Sequence, residues 1–149
     1  MLTRRDLAVA LIAVGCTVGG FAIADQLPTL GSAAFDWNTI AAKKTESGSV
    51  RSFFTAKSAT VQRLEVHETT LNPGKSPHPP HRHPNEEMIL MEKGTVEALV
   101  NGEWKRVGPG SVIFFASNQL HGLRNVGTDP AVYHVVNWKT EETPAETAK

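Results

Sequence analysis

The chain has 149 residues with 15 basic and 15 acidic side chains, so its formal net charge is zero. That balance leaves no electrostatic footprint for nucleic acid or for an acidic membrane surface. The length suits one domain with a real core, and a single cysteine excludes an internal disulfide framework.

The amino terminus has the order of a signal peptide over residues 1–24. Thr3-Arg4-Arg5-Asp6 precedes an apolar stretch from Leu7 to Ala24, which ends in the small-x-small sequence Ala22-Ile23-Ala24. Paired arginines after Thr3 resemble a twin-arginine export signal, with Ala8 as a departure, and an ordinary secretory signal is the alternative. An uncleaved anchor is a further alternative, because the apolar stretch is close to the ~20 residues that cross a bilayer. Cys16 gives a faint lipoprotein box, weakened by Ala13 and by the apolar residues that continue past it. Cleavage after Ala24 is the favoured reading, with a periplasmic or secreted product that has no stable membrane association. It removes two of the 15 basic residues, one of the 15 acidic residues and the cysteine, for a net charge of −1. Stability must then come from the core, a metal or a second subunit.

Residues 25–49 are mixed in composition and are expected to form an amino-terminal arm or edge element. Residues 50–138 read as a succession of short strands. Val50–Ala56 and Val61–Leu71 are extended, the second alternating Leu64 and Val66 against Arg63, Glu65 and His67. Asn72-Pro73-Gly74 is a turn. Met88–Met91 is a strand, and Glu92-Lys93-Gly94 turns the chain. Thr95–Val100 and Trp104–Val107 flank Asn101-Gly102, a strong signal for a tight hairpin. Gly108-Pro109-Gly110 turns again before Val112–Phe115, and Ala131–Trp138 is the last strand. Residues 139–149 are polar and aperiodic and are expected to be a disordered tail. Short strands with turn signals at near-even spacing point to an all-β barrel or sandwich, without helical periodicity or an internal repeat.

Between these strands lies the chemistry. His81, His83 and Glu87 share one parity, so in an extended segment they face one side, and His121 follows from a second apolar segment. Three neutral imidazoles and a carboxylate suit Mn, Fe, Ni, Zn or Cu, whereas Ca and Mg prefer oxygen cages. Glu86 has the wrong parity and should face away. His78, among three prolines, reads as a surface loop residue and not a ligand.

The frame around these residues resembles the cupin superfamily. Its first motif is matched by Gly74, His81-Arg82-His83, Glu87 and Gly94, with one extra residue before His81. Its second is matched by Gly110, His121 and Asn125, with Ala116 and Asn118 where the family usually has Pro and Gly. The resemblance covers about residues 60–138. It implies a small double-stranded β-helix or jelly-roll barrel, a divalent transition metal on His81, His83, Glu87 and His121, and a homodimer.

On simple alternation Ile89 and Met91 share the ligand face after Glu87. Phe114 or Phe115, and Trp138 or Tyr133, are expected to add cavity wall from neighbouring strands, with Phe114 and Trp138 taken as the pocket residues. The alternative role for each is ordinary core. Arg63, His67, Arg124 and His134 are the polar residues expected nearest the cavity, and His134 and Arg63 are the candidates for acid–base work. His134 alternates with Val132 and Val136, so a satisfied core histidine is its other reading. Three functions stay open for a small-molecule substrate. They are a metal-dependent oxygenase acting on a partly apolar compound, a non-redox isomerase, lyase or decarboxylase, and a binding barrel without turnover.

Overall fold

The computed structural model describes residues 27–147, so the signal-peptide reading lies outside the described residues. Among these residues no helix is long and apolar enough to cross a membrane. Nine strands follow in chain order: β1 Lys43–Thr45, β2 Gly48–Ala56, β3 Arg63–Leu71, β4 Glu86–Lys93, β5 Val96–Val100, β6 Glu103–Val107, β7 Val112–Phe115, β8 Gly122–Asn125 and β9 Ala131–Lys139. They form a six-stranded sheet, β1-β2-β3-β9-β4-β7, and a three-stranded sheet, β6-β5-β8. Every paired strand is antiparallel. This is the double-sheet jelly roll that the resemblance implies, within the all-β class that the spacing of short strands predicts.

Alternation fills the space between the sheets. In β9, Ala131, Tyr133 and Val135 are buried while the residues between them are only half-buried. They join Leu71, Ile89, Met91, Val96, Ala98, Ile113, Phe115 and Leu123 in one core. The Asn101-Gly102 hairpin forms as read, with φ of 53° and 82°, the left-handed pair that joins β5 to β6 without splaying them.

The amino-terminal segment folds back on the outside of the larger sheet. Thr29 bridges to Lys57, and a short 3-10 helix over Trp37–Thr39 is capped by the Asp36 carboxylate. The Trp37 indole donates to Glu68 Oε2 at 2.7 Å while the Arg51 guanidinium lies 3.8 Å over its ring. Two strands are additional to the sequence reading, and several boundaries shift by one or two residues. β1 emerges from the arm to pair with β2, and β8 is a separate strand that pairs with β5. After β9, Asn118 donates to the Ala145 carbonyl and accepts from the Thr147 amide.

Candidate metal centre

Two loops bring three imidazoles together at one end of the space between the sheets. His81 and His121 exchange reciprocal backbone hydrogen bonds of 3.0 Å, an isolated bridge joining positions 40 residues apart. His83 sits two residues further on, before β4 begins at Glu86. Ring centroids are 4.6 Å apart for His81–His121 and His83–His121, and 5.2 Å for His81–His83. One ring nitrogen from each lies within 4.8 Å of the others. Strand parity does not align His81 and His83, because residues 82–85 are irregular; the bridge to His121 does the aligning.

Local hydrogen bonds set the tautomers. His83 Nδ1 donates to the Asn85 carbonyl at 2.9 Å and His121 Nδ1 to the Gln119 carbonyl at 2.8 Å. A carbonyl only accepts, so each Nδ1 carries a proton and, whenever the ring is neutral, Nε2 holds the lone pair. His121 is 2% exposed and its ring stacks on Phe115 at 4.5 Å. Its Nε2, and Nδ1 of His81, are buried without a hydrogen-bond partner. Orphaned buried nitrogens are costly unless something else accepts their lone pairs, and a divalent cation fits that need.

Glu87 completes the set. Its Oε2 is 3.7 Å from His83 Nε2 and accepts from Asn137 Nδ2 at 3.2 Å. Asn137 Oδ1 in turn accepts from Asn85 at 2.7 Å, so β9 and the ligand loop orient the carboxylate together. Asn137 was not singled out in the sequence, although a polar residue at the inward parity of Tyr133 and Val135 is the signal that could have found it.

Burial keeps His81 and His121 neutral, and so ready as ligands, at neutral pH. Burial, and then the neighbouring His78, His121 and His83, lower His81 to about 4. Burial also lowers His121. His83 is raised, chiefly by its hydrogen bond to Glu87. Burial is the largest single influence on Glu87 and pushes it up, but the His83 and Asn137 hydrogen bonds outweigh it and the net shift is down. Three neutral imidazoles and this carboxylate would leave a divalent ion a net charge of +1. The His/Glu group is compatible with a metal site.

Beside the cluster lies a cavity of about 450 Å³, with Glu87, His121 and His78 on one side and Glu65, His67 and Thr69 of β3 on another. Val50, Ile89, Phe115, Leu123, Tyr133 and Val135 make its apolar wall. Of the pocket residues expected from sequence, Ile89 is in this wall and three are not. Met91 is 4% exposed within the core and does not line the cavity. Phe114 and Trp138 lie on the opposite face of the sheet, stacked on each other at 6.2 Å, with Phe114 49% exposed. Their inward places are held by Phe115 and by Tyr133 with Val135.

The polar candidates also separate. His134 is neither in the core nor in the cavity. It faces outward between Glu68 and Glu92, at 3.7 and 3.8 Å, beside Phe53. Arg124 is outside too, bound to Glu97 and lying 4.2 Å over Trp104. Arg63 is exposed at the rim, where it donates to Glu65 at 2.7 Å. His67 does reach the cavity. His78, read as a plain loop residue, is exposed but stands at the cavity mouth with its ring 4.2 Å from that of His81.

The departures from the second motif leave its loop intact. Asn118 adopts φ of 58°, the left-handed conformation that glycine takes most easily and asparagine tolerates. Asn125 is 1% exposed and ties three segments together, donating to the Leu71 and Asp129 carbonyls and accepting from the Gly127 amide.

A family model described as the cupin domain matches residues 67–137. The polyketide cyclase RemF from Streptomyces resistomycificus superposes with a TM-score of 0.60 at 19% identity, over 80% of this chain and 88% of that one. An RmlC-like cupin from Shewanella frigidimarina gives 0.60 at 14% identity, over 74% and 95%. KdgF from a Halomonas species gives 0.58 at 16% identity, over 76% and 100%. No curated protein sequence matches the chain. These likenesses show a cupin fold.

Proposed function

We propose that this chain is an exported, single-barrel member of the cupin superfamily that holds one divalent transition metal on His81, His83, Glu87 and His121 and acts as an oxygenase on a small, partly apolar substrate. The observation that carries the metal is the pair of buried, unpartnered ring nitrogens on His81 and His121, within one ligand cluster beside the Glu87 carboxylate. A redox-active ion held by these four residues would gather dioxygen and a chelating substrate. The chain's own part is to orient and to exclude water. Asn137 and Asn85 aim the carboxylate, the Asn85 and Gln119 carbonyls fix two tautomers, and Ile89, Phe115 and Val135 give the substrate an apolar wall.

A non-redox isomerase, lyase or decarboxylase is the second reading. It is favoured by an imidazole–carboxylate pair, His67 with Glu65, that opens on the same cavity. Elemental mass spectrometry on protein purified from its own compartment tests the metal, with about one Mn, Fe, Ni, Cu or Zn per chain expected. Dioxygen uptake with turnover supports the oxygenase, and anaerobic turnover supports the second reading. A chain that carries no metal without ever meeting a chelator would overturn both.

A further inference from the structure

We propose that His67 is the proton-transfer residue of the cavity, positioned by Glu65, with Arg63 bracing Glu65 from the rim. The inference rests on the metal reading above and deepens it by naming a proton acceptor on the wall away from the ligands.

Glu65 and His67 are two apart on β3, so they share its inward face, and both line the cavity. His67 Nδ1 lies 3.2 Å from Glu65 Oε1. A carboxylate only accepts, so Nδ1 carries the proton and Nε2 keeps a lone pair with no protein partner among the described residues. The other carboxylate oxygen accepts from Arg63 at 2.7 Å, which stops the carboxylate from swinging off the ring. The hydrogen bond from His67, followed by burial in the opposite sense and then Arg63, sets Glu65 at about 2, so it stays ionised across the working pH range. A base whose far nitrogen is oriented by an anion is the arrangement that general acid–base catalysis requires. An Arg–Glu contact at a sheet surface contributes little by itself. Here it has a second consequence, because the imidazole it steadies looks into the same cavity as His121 and Glu87. Ser52, the cross-strand partner of His67, and Thr69 add hydroxyls beside it.

The step is a proton transfer to a neutral imidazole. The O–H bond of an enolisable or phenolic hydroxyl breaks, its electron pair stays on oxygen, and an N–H bond forms at His67 Nε2. The imidazolium charge is balanced by the Glu65 carboxylate. The proton returns to the product before release.

Catechol is a suitable probe, and zinc a suitable ion because it has no redox chemistry. The full chain loaded with zinc is titrated with catechol by calorimetry at about pH 8 in two buffers of different ionisation enthalpy. Wild type should release about one proton fewer to buffer than His67→Gln, because His67 retains it. The variant should keep wild-type zinc and bind catechol roughly tenfold more weakly. Glu65→Gln should fall between them in proton count. Equal proton counts in wild type and His67→Gln, loss of zinc from His67→Gln, or no catechol binding to zinc-loaded wild type would each overturn the assignment. Failure of wild type to retain zinc at all would instead sink the metal reading beneath it.

Discussion

His121→Ala separates the metal reading from ordinary packing. His121 is 2% exposed, stacks on Phe115 and donates to the Gln119 carbonyl, so its removal leaves a cavity and an unpaired acceptor. Without metal that should cost about 2–3 kcal/mol. The metal contributes separately. An ion that binds only the folded chain adds about 2.7 kcal/mol at a hundredfold excess over Kd. At roughly 4 °C per kcal/mol for a domain of this size, wild type should gain about 10 °C in melting temperature on loading. His121→Ala should gain almost nothing, whereas His78→Ala should keep the full gain, because His78 stands at the cavity mouth outside the ligand cluster. The assay is thermal unfolding of each chelator-stripped variant with and without zinc or manganese. A metal-induced gain in His121→Ala equal to that of wild type would refute the ligand assignment. So would a loss of that gain in His78→Ala with His121→Ala unaffected.

Four further outcomes test the frame around the site. Glu65 has its carboxyl lowered from 4.5 to about 2, so its contribution is present above about pH 4.5 and lost as pH falls toward 2. Glu65 is half-exposed and screened, so Glu65→Gln should cost only about 1 kcal/mol at pH 7 in urea unfolding, and the difference should vanish near pH 2. Asn125→Ala removes two donated hydrogen bonds and one accepted one from a buried position, and should cost about 3 kcal/mol in the same assay. Asn118→Ala places a Cβ-bearing residue without a compensating side chain at φ of 58° and should cost about 1 kcal/mol. Asn118→Gly should keep that loop while releasing residues 145–147, read as faster limited proteolysis at the carboxyl end with metal retained.

Alternation made the strands legible because it is a local property, and the Asn101-Gly102 turn was legible because two left-handed residues in a row have few other uses. Which face of a strand looks inward is not local. Cross-strand partners share a face, and Glu87 pairs with Phe115 on β7 and with Asn137 on β9. Inward parity therefore passes from Glu87 to Phe115 and Asn137, and outward parity to Phe114 and Trp138. Choosing Phe114 and Trp138 amounted to a one-residue error in register, which moves every side chain to the other surface. The same rule sends His134 outward, since it pairs with Glu68 on β3 and alternates with Tyr133 and Val135. β8 was missed for a different reason. Its four residues include a glycine and an arginine, and only pairing with β5 makes them extended.

The His/Glu cluster was readable in the sequence, although strand parity is not what aligns it. His81 and His83 occupy an irregular segment where a two-residue period has no meaning. Their convergence comes from the backbone bridge between His81 and His121, which no spacing rule contains. That bridge is tightly enclosed. A Cβ on Gly122 would come within 3.2 Å of the Pro80 ring, so the residues flanking the two bridged ligands press on each other. A turn held by Asn118 adds a second tie, because its amide donates to the His83 carbonyl at 2.8 Å. The loop that carries His121 thus fixes both His81 and His83 by main-chain bonds, independent of the side chains between them. Ala116 and Asn118 can replace the residues usual in the motif because Asn118 still reaches the left-handed region and leaves its amide free to donate. The motif is legible in sequence as residue types, but what it encodes is backbone geometry, and any residue that satisfies the geometry preserves the site.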